Sequence, residues 1–293
     1  MSTASRFERF VQHIAVTSAQ EEAALRTART VTEALSRHYY GQPIADATTM
    51  KVIGAYGKGT AARPPRDIDM LFVMPDSEYN RFRTYRSNGQ SALLQEVKEV
   101  LQKRFTTTER IRGDGQVVVA EFSGHRAEIL PAWQLLLPGF RIPDTHNGGR
   151  WRKVNHDAEI RHINRSDAYN KGGTRHLVKI AKTWQQECSV PVSSLVLELC
   201  AVRFLFWSWF PRAETFHDYP AMVRDFFRFL IRQSGGSSSI PGTTERKMHG
   251  TEWKSKAESA YRMATQACEY ERLGKESDAV AEWQKIFGRC YVG

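Results

Sequence analysis

The sequence holds no uninterrupted apolar stretch of about 18 residues, which excludes an ordinary transmembrane helix. Its opening residues, MSTASRFERF, lack the apolar core of a secretory signal. Cysteine is scarce and scattered: Cys188, Cys200, Cys268 and Cys290 form no C-x-x-C pair. That spacing excludes a zinc ribbon and argues against a disulfide framework. A reduced, cytoplasmic protein is expected, with Cys200 as a core thiol inside an apolar helical run. Internal repeats are absent. The basic residues are dispersed, unlike a disordered nucleic-acid-binding arm. Their densest group, Arg81, Arg83 and Arg86, reads as solvated surface.

What is present is globular. The 293 residues are 41% hydrophobic and 25% charged, enough for one large or two small domains with a sizeable core. The net charge of +10 favours anionic substrates or partners, without separating nucleic acid from a nucleoside triphosphate.

Periodicity organises the chain into two halves. Residues 5–40 read as helix, with Phe7, Phe10, Val11 and Ile14 on one face. Short strands are predicted at Lys51–Ile53, Asp67–Met74, Gln116–Phe122 and Ala127–Leu130, the last two joined through Ser123–Arg126. An amphipathic helix is predicted over Ser91–Phe105. Residues 138–155 look loop-like, and Gly235–Ser239 a small flexible loop. From Asp167 the pattern is helical, clearest at Arg175–Cys188, Ser193–Trp209, Tyr219–Ile231 and Thr251–Arg272. The expectation is an α+β fold: a mixed sheet with helices over residues 1–165, a helical bundle over 166–293, and a cleft between them.

The chemistry concentrates between Ile53 and Met74, IGAYGKGTAARPPRDIDMLFVM. Asp67 and Asp69 are two apart, so on a strand both side chains leave the same face. Adjacent carboxylates raise each other's pKa, and a divalent cation relieves that repulsion. Carboxylate oxygens suit Mg²⁺, which completes its shell with water and substrate phosphates. The preceding loop, Gly54 to Thr60, has glycines where backbone N–H groups can approach a phosphate. Either motif alone is as readily structural; together, and in this order, they suggest the start of a nucleotidyltransferase. Two-metal phosphoryl transfer calls for a third carboxylate. Glu128 is preferred over Glu121, because Pro131-Ala132 follows it. Alternation places Glu128 opposite in direction to Ala127 and Ile129.

Taken together, Gly54-x-Tyr56-Gly57-Lys58-Gly59-Thr60, Arg66-Asp67-Ile68-Asp69, Ala127 to Ala132, Asp144 to Gly149, Lys182-Thr183-Trp184 and Pro191 to Glu198 resemble the bacterial cGAS/DncV-like nucleotidyltransferases of the SMODS group. Eukaryotic relatives are cGAS and oligoadenylate synthase. The resemblance covers roughly residues 50–210, and Glu252-Trp253 to Trp283-Gln284 is similar as well.

The resemblance implies a polymerase-beta-like nucleotidyltransferase core with an N-terminal spine helix, and two Mg²⁺ (or Mn²⁺) ions. Asp67 and Asp69 would hold both ions and Glu128 the second. Gly54, Ala55, Tyr56 and Lys58 would border the nucleotide, and Lys182 and Ser194 would reach the donor triphosphate. Lys179 and Lys182 share a helical face, and a solvated lysine is the plain alternative for Lys182. Trp184 reads as core. Three departures stand out, one of them the third acid itself, Glu128 where many relatives have Asp. The family's Gly-Ser is Gly54-Ala55 here, which removes a hydroxyl worth roughly 1.5–3 kcal/mol against a charged group. Leu195 stands where several relatives stack an aromatic on the donor base.

The implied activity is synthesis of a cyclic di- or trinucleotide second messenger from nucleoside triphosphates (ATP and/or GTP, with a pyrimidine open), with release of pyrophosphate, in anti-phage (CBASS) defence. No membrane and no obligatory nucleic acid are expected; operon-encoded conjugation or regulatory proteins are conceivable partners. A nucleotidyltransferase acting on a polymer end or a protein, and a catalytically silent nucleotide- or RNA-binding module, are the rival readings. The chain ends in Gly293, a residue suited to C-terminal conjugation, or simply where it stops.

Overall fold

The computed structural model describes all residues except Met1, Arg66, Glu109, Ser123, Gly124, 208–215, Val292 and Gly293. The expected Arg66 and Gly293 features therefore lie outside the described residues, as do the Ser123-Gly124 turn and Trp209. In chain order the elements are α1 (Thr3–Ile14), α2 (Ser18–Tyr39), β1 (Met50–Val52), α3 (Gly54–Gly57), β2 (Asp67–Val73), α4 (Asp76–Arg83), α5 (Gly89–Arg104), β3 (Arg110–Asp114), β4 (Val117–Phe122), β5 (His125–Gln134), β6 (Phe140–Asp144), β7 (Arg150–Val154), α6 (His156–Tyr169), α7 (Gly173–Glu187), α8 (Ser194–Trp207), α9 (Tyr219–Gln233), β8 (Ser237–Ser239), β9 (Arg246–Met248), α10 (Lys254–Arg272) and α11 (Glu276–Phe287).

The expected long first helix is two. Thr17 caps α2 by accepting from the Gln20 backbone while the Gln20 side chain accepts from the Thr17 N–H, a capping box that breaks the run. Residues 138–155 are not loop: Phe140–Asp144 and Arg150–Val154 pair as an antiparallel hairpin. Gly235–Ser239 is likewise partly ordered, with β8 pairing β9. The second helical region starts earlier than Asp167, at His156, where Asn155 caps α6.

The sheet runs β1-β2-β5-β4-β3, with β6 added to the far end of β5 and β7 to β6. It is mixed: β2 and β5 are parallel, and the other pairs antiparallel. A parallel pair needs a long crossover, here α4, α5 and the β3–β4 hairpin. β5 is longer than the predicted Ala127–Leu130 and passes through Pro131. The β4 ladder ends at Ile129–Val118 and the β6 ladder begins at Trp133–Arg141, so the proline falls between them.

Alternation splits the faces of the central strands. Ile68, Met70 and Phe72 of β2, with Ala127 and Ile129 of β5, pack beneath Ala28, Val31 and Leu35 of α2 and Leu93, Val97 and Leu101 of α5. Asp67, Asp69 and Glu128 therefore leave by the opposite face. A second core joins α7–α11 with α1, whose Phe7, Phe10, Val11 and Ile14 belong to it. The N-terminal helix is thus packed into the helical lobe. Trp184, Trp253 and Trp283 are buried there, Trp184 edge-on to Phe227 as a core residue. Cys200 is buried too, and burial pushes its thiol up to about 12. Among the described residues no helix is long and apolar enough to cross a membrane.

Candidate active site

The parallel register sets Asp69 directly opposite Glu128, and Asp67 opposite Arg126. Of the two candidates for the third acid, Glu128 meets the aspartates. Glu121 lies one strand further out, across from Arg126. Arg126, expected in the Ser123–Arg126 connection, lies instead on β5 two residues before Glu128 and so shares its face. Its Nε lies 2.9 Å from Asp67 Oδ1, its Nη2 lies 3.2 Å from Asp67 Oδ2, and the same nitrogen pairs with Glu128 Oε1. One guanidinium thus bridges two acids, one on each strand.

Among the described residues no guanidinium pairs with Asp69. Burial, reinforced by the charges of Glu128 and Asp67, pushes its carboxyl up to about 6. Three carboxylates with one arginine among them form a patch of excess negative charge with only oxygen donors, which suits a hard divalent cation. Among the described residues no three acidic, histidine or cysteine side chains already converge as a finished ligand set.

The glycine loop lies against these acids. Gly54 has φ +59°, and a Cβ there would stand 1.8 Å from Asp69 Oδ2. At Gly57 a Cβ would meet the Val52 carbonyl oxygen at 2.5 Å. Only glycine permits both approaches. Residues 54–57 form one helical turn, with N–H bonds from Gly57, Lys58 and Thr60 running back to Ile53, Gly54 and Ala55. The amides at the start of the turn have no such acceptor, as at any helix beginning.

A cavity of about 320 Å³ opens here, between the sheet and the helical lobe. Gly54, Ala55, Tyr56, Lys58, Asp67, Asp69, Lys182, Ser194 and Leu195 all line it, as do Ala61, Ala62, Glu159, Gln185, Gln186 and Glu198, which the sequence reading did not single out. Glu128 stands beside Asp69 in the sheet rather than on the cavity wall. Lys179, three residues before Lys182, is not on the wall either.

The two lysines are not free charges. Lys58 Nζ reaches Glu159 Oε2 at 2.7 Å and Glu198 Oε2 at 2.9 Å. Lys182 Nζ reaches Glu198 Oε1 at 2.7 Å and the Thr60 hydroxyl at 3.0 Å. Thr60 Oγ1 also donates to Glu198, at 3.0 Å. Lys182 is only 4% exposed, so the solvated alternative does not hold. Burial would raise the Glu159 carboxyl, but the His156 hydrogen bond and the Lys58 charge bring it down to about 2. Burial also opposes ionisation of Glu198, and Lys182 and Lys58 together hold its pKa below the usual range. Two cations and two anions balance, tying the loop of the sheet lobe to α6, α7 and α8. A sequence signal existed for Glu198: a carboxylate in the apolar run Leu195-Val196-Leu197-Glu198-Leu199-Cys200 must be paired. The Asp144–Gly149 motif lies off the cavity wall; Asp144 closes its own turn by accepting from His146 Nδ1 at 2.7 Å and Arg150 Nε at 2.9 Å.

Comparison with known proteins bears on the family and the fold. The family model for the Second Messenger Oligonucleotide or Dinucleotide Synthetase domain, SMODS, matches residues 1–166. No curated protein sequence matches the chain. Among solved structures, CdnC of E. coli MS115-1 with ATP is 17% identical at a TM-score of 0.68, over 99% of this chain and 98% of that one. DncV of Vibrio cholerae, a cyclic AMP-GMP synthase captured with the linear intermediate pppA(3',5')pG, is 15% identical at a TM-score of 0.69, over 99% and 87%. CdnG of Bradyrhizobium diazoefficiens, a CD-NTase in complex with GTP, is 13% identical at a TM-score of 0.65, over 98% and 96%. The nucleotidyltransferase fold runs through both lobes, and with more than half of its length matched by the family model the chain belongs to the SMODS family of cGAS/DncV-like nucleotidyltransferases.

Proposed function

We propose that the chain joins nucleoside triphosphates through a ribose hydroxyl of one and the α-phosphate of another, releasing pyrophosphate, and closes the product into a cyclic di- or trinucleotide second messenger for anti-phage defence. The observation that carries this reading is the register of Asp69 opposite Glu128, with Asp67 two residues away and Gly54 packed on the Asp69 carboxylate. Asp67, Asp69 and Glu128 would hold two Mg²⁺ or Mn²⁺ ions. When bound, such ions lower the pKa of an attacking hydroxyl and stabilise charge on the leaving pyrophosphate.

The chain's own residues do the rest. The first amides of the Gly54–Gly57 turn face the phosphates as neutral donors. Lys182 and Lys58 place positive charge at the same end of the cavity, though each must share it with Glu198. A triphosphate entering there competes with Glu198 for Lys182, so binding is coupled to the contact between the lobes. Arg126 gives up part of its hold on Asp67 and Glu128 when a cation enters. Ser194 offers a hydroxyl next to Gln185, and Leu195 an apolar wall for a base.

A division near residue 165 places every acid of the metal site in the first part and Lys182, Ser194 and Leu195 in the second, so catalysis needs both. CdnC has been captured with a HORMA protein; a regulatory partner of that general kind is the expectation here. The test is incubation of the full chain with all four nucleoside triphosphates and Mg²⁺ or Mn²⁺, with products read by mass spectrometry. Cyclic products formed without an added acceptor support the reading. Turnover that requires an RNA end or a protein acceptor overturns it in favour of an acceptor-dependent transferase, and no turnover leaves a binding module.

A further inference from the structure

The cavity has two chemically distinct levels. Lys182 meets Glu198 across α7 and α8, while one turn further along, Gln185 meets Ser194. Lys182 and Gln186 are four apart on one helix, as are Ser194 and Glu198 on the other, so each pair shares a face and is separated by about 6 Å along its axis. The first level lies against the glycine loop and carries the four charges of the Lys58, Glu159, Lys182 and Glu198 network. The second, toward the turn between α7 and α8, is neutral: Gln185, Gln186, Ser194 and Leu195, with Ala61 and Ala62.

At this neutral level the two glutamines are not equivalent. Gln185 is used up by the fold: its Nε2 donates to the Val192 carbonyl and its Oε1 accepts from Ser194 Oγ at 3.2 Å. Gln186 lines the same cavity, is partly buried, and its side-chain amide has no partner among the described residues. A half-buried primary amide with both ends uncommitted on a cavity wall is poised to read a polar edge.

We propose that Gln186 reads the base of the donor nucleotide, and that the base is adenine; this rests on the nucleotidyltransferase reading above. A primary amide presents a donor beside an acceptor. Adenine presents the complement, its N6 amine beside a ring nitrogen, and Asn or Gln is its usual bidentate partner. Guanine offers either two acceptors, which call for a cationic fork, or two adjacent donors, which call for a carboxylate. Among the described residues the neutral level has neither cation nor carboxylate. Cytosine and uracil match an amide too, but the smaller ring covers less of the apolar wall made by Ala61, Ala62 and Leu195.

The experiment is equilibrium binding of α,β-methylene analogues of the four nucleoside triphosphates to the full chain with Mg²⁺, and to Gln186→Ala and Gln186→Glu. The wild type should bind the adenine analogue most tightly. Gln186→Ala should lose roughly tenfold for adenine, with little change for the other three bases. Gln186→Glu, whose carboxylate only accepts, should move the preference toward guanine. That gain keeps the test decisive if the alanine variant folds poorly. Equal binding of all four analogues, a pyrimidine preference, or an adenine preference that survives both substitutions overturns the assignment. If the wild type binds no analogue and consumes no triphosphate, the nucleotidyltransferase reading itself falls, and the base assignment with it.

Discussion

Two groups of acids stand within the same cleft and behave in opposite ways. Asp67 and Glu128 share one guanidinium that does not reach Asp69, whose carboxyl is pushed up to about 6 by burial and by its acidic neighbours. Glu159 and Glu198 meet two lysines; burial works against their charge as well, yet the Glu159 carboxyl ends at about 2. Burial disfavours charge in both places, so the difference lies in counter-charge. The first group is short of positive charge and therefore attracts cations. The second is balanced and therefore holds the lobes together. Where a fold leaves charge uncompensated, it has a binding site; where it compensates charge in full, it has a strut.

The largest expected effect breaks the first group. Asp67→Asn or Asp69→Asn should reduce product formation by about 10³-fold or more, since each removes a ligand worth several kcal/mol in the transition state. Circular dichroism should show an intact fold. Near-normal synthesis by either variant would remove these residues from the reaction.

Breaking the second group should cost stability instead. Lys182→Ala leaves Glu198 facing an incomplete set of cations, and about 3–5 kcal/mol of destabilisation is expected, read as a fall in the denaturant midpoint. Lys179→Ala, off the cavity wall, should change the midpoint by far less. Replacing Lys182 and Glu198 together by Met and Leu should recover part of the loss. Equal, small effects of Lys182→Ala and Lys179→Ala would mean that the network carries no such energy.

The comparison sharpens with pH. The folded, metal-free protein binds a proton at Asp69 more tightly than the unfolded chain does. That contribution to stability is fully present below about pH 4, and is lost as the pH rises through about 6. The full loss amounts to about 3 kcal/mol. Glu159 runs the other way: its contribution is present above about pH 4.5 and lost as the pH falls toward 2. Thermal unfolding in a chelator between pH 4.5 and 7.5 should therefore show a downward slope that Asp69→Asn flattens and added Mg²⁺ offsets. A slope unchanged in Asp69→Asn would place the titrating group elsewhere.

The smallest effect concerns the loop beside the acids. Ala55→Ser adds a hydroxyl on the cavity wall, and a new hydrogen bond to a phosphate should lower KM for triphosphate by up to about tenfold, or roughly 1.5 kcal/mol. Unchanged kinetics would mean that the backbone donors already suffice.

Local pattern was enough for the parts of this protein that local physics governs. Two residues apart on a strand places Asp67 and Asp69 on one face whatever surrounds them, and the loop glycines announce a close approach that proves to be onto Asp69 itself. The helical half was legible from its 3.6-residue period. What failed locally had reasons beyond the hydrophobic pattern: a capping box at Thr17 divided one apolar run into two helices, and short strands within 138–155 became ordered only by pairing with each other and with β5. How the site's other members meet was decided by tertiary structure. Glu128 meets Asp69 because β2 and β5 pair in parallel at one register, and a shift of one residue would have turned it into the core. Lys58 and Glu198 are 140 residues apart in the chain, and Lys182 and Thr60 are 122 apart. Periodicity states which face a side chain occupies; which charge waits for it there is settled only when the lobes pack and every buried carboxylate must find its cation.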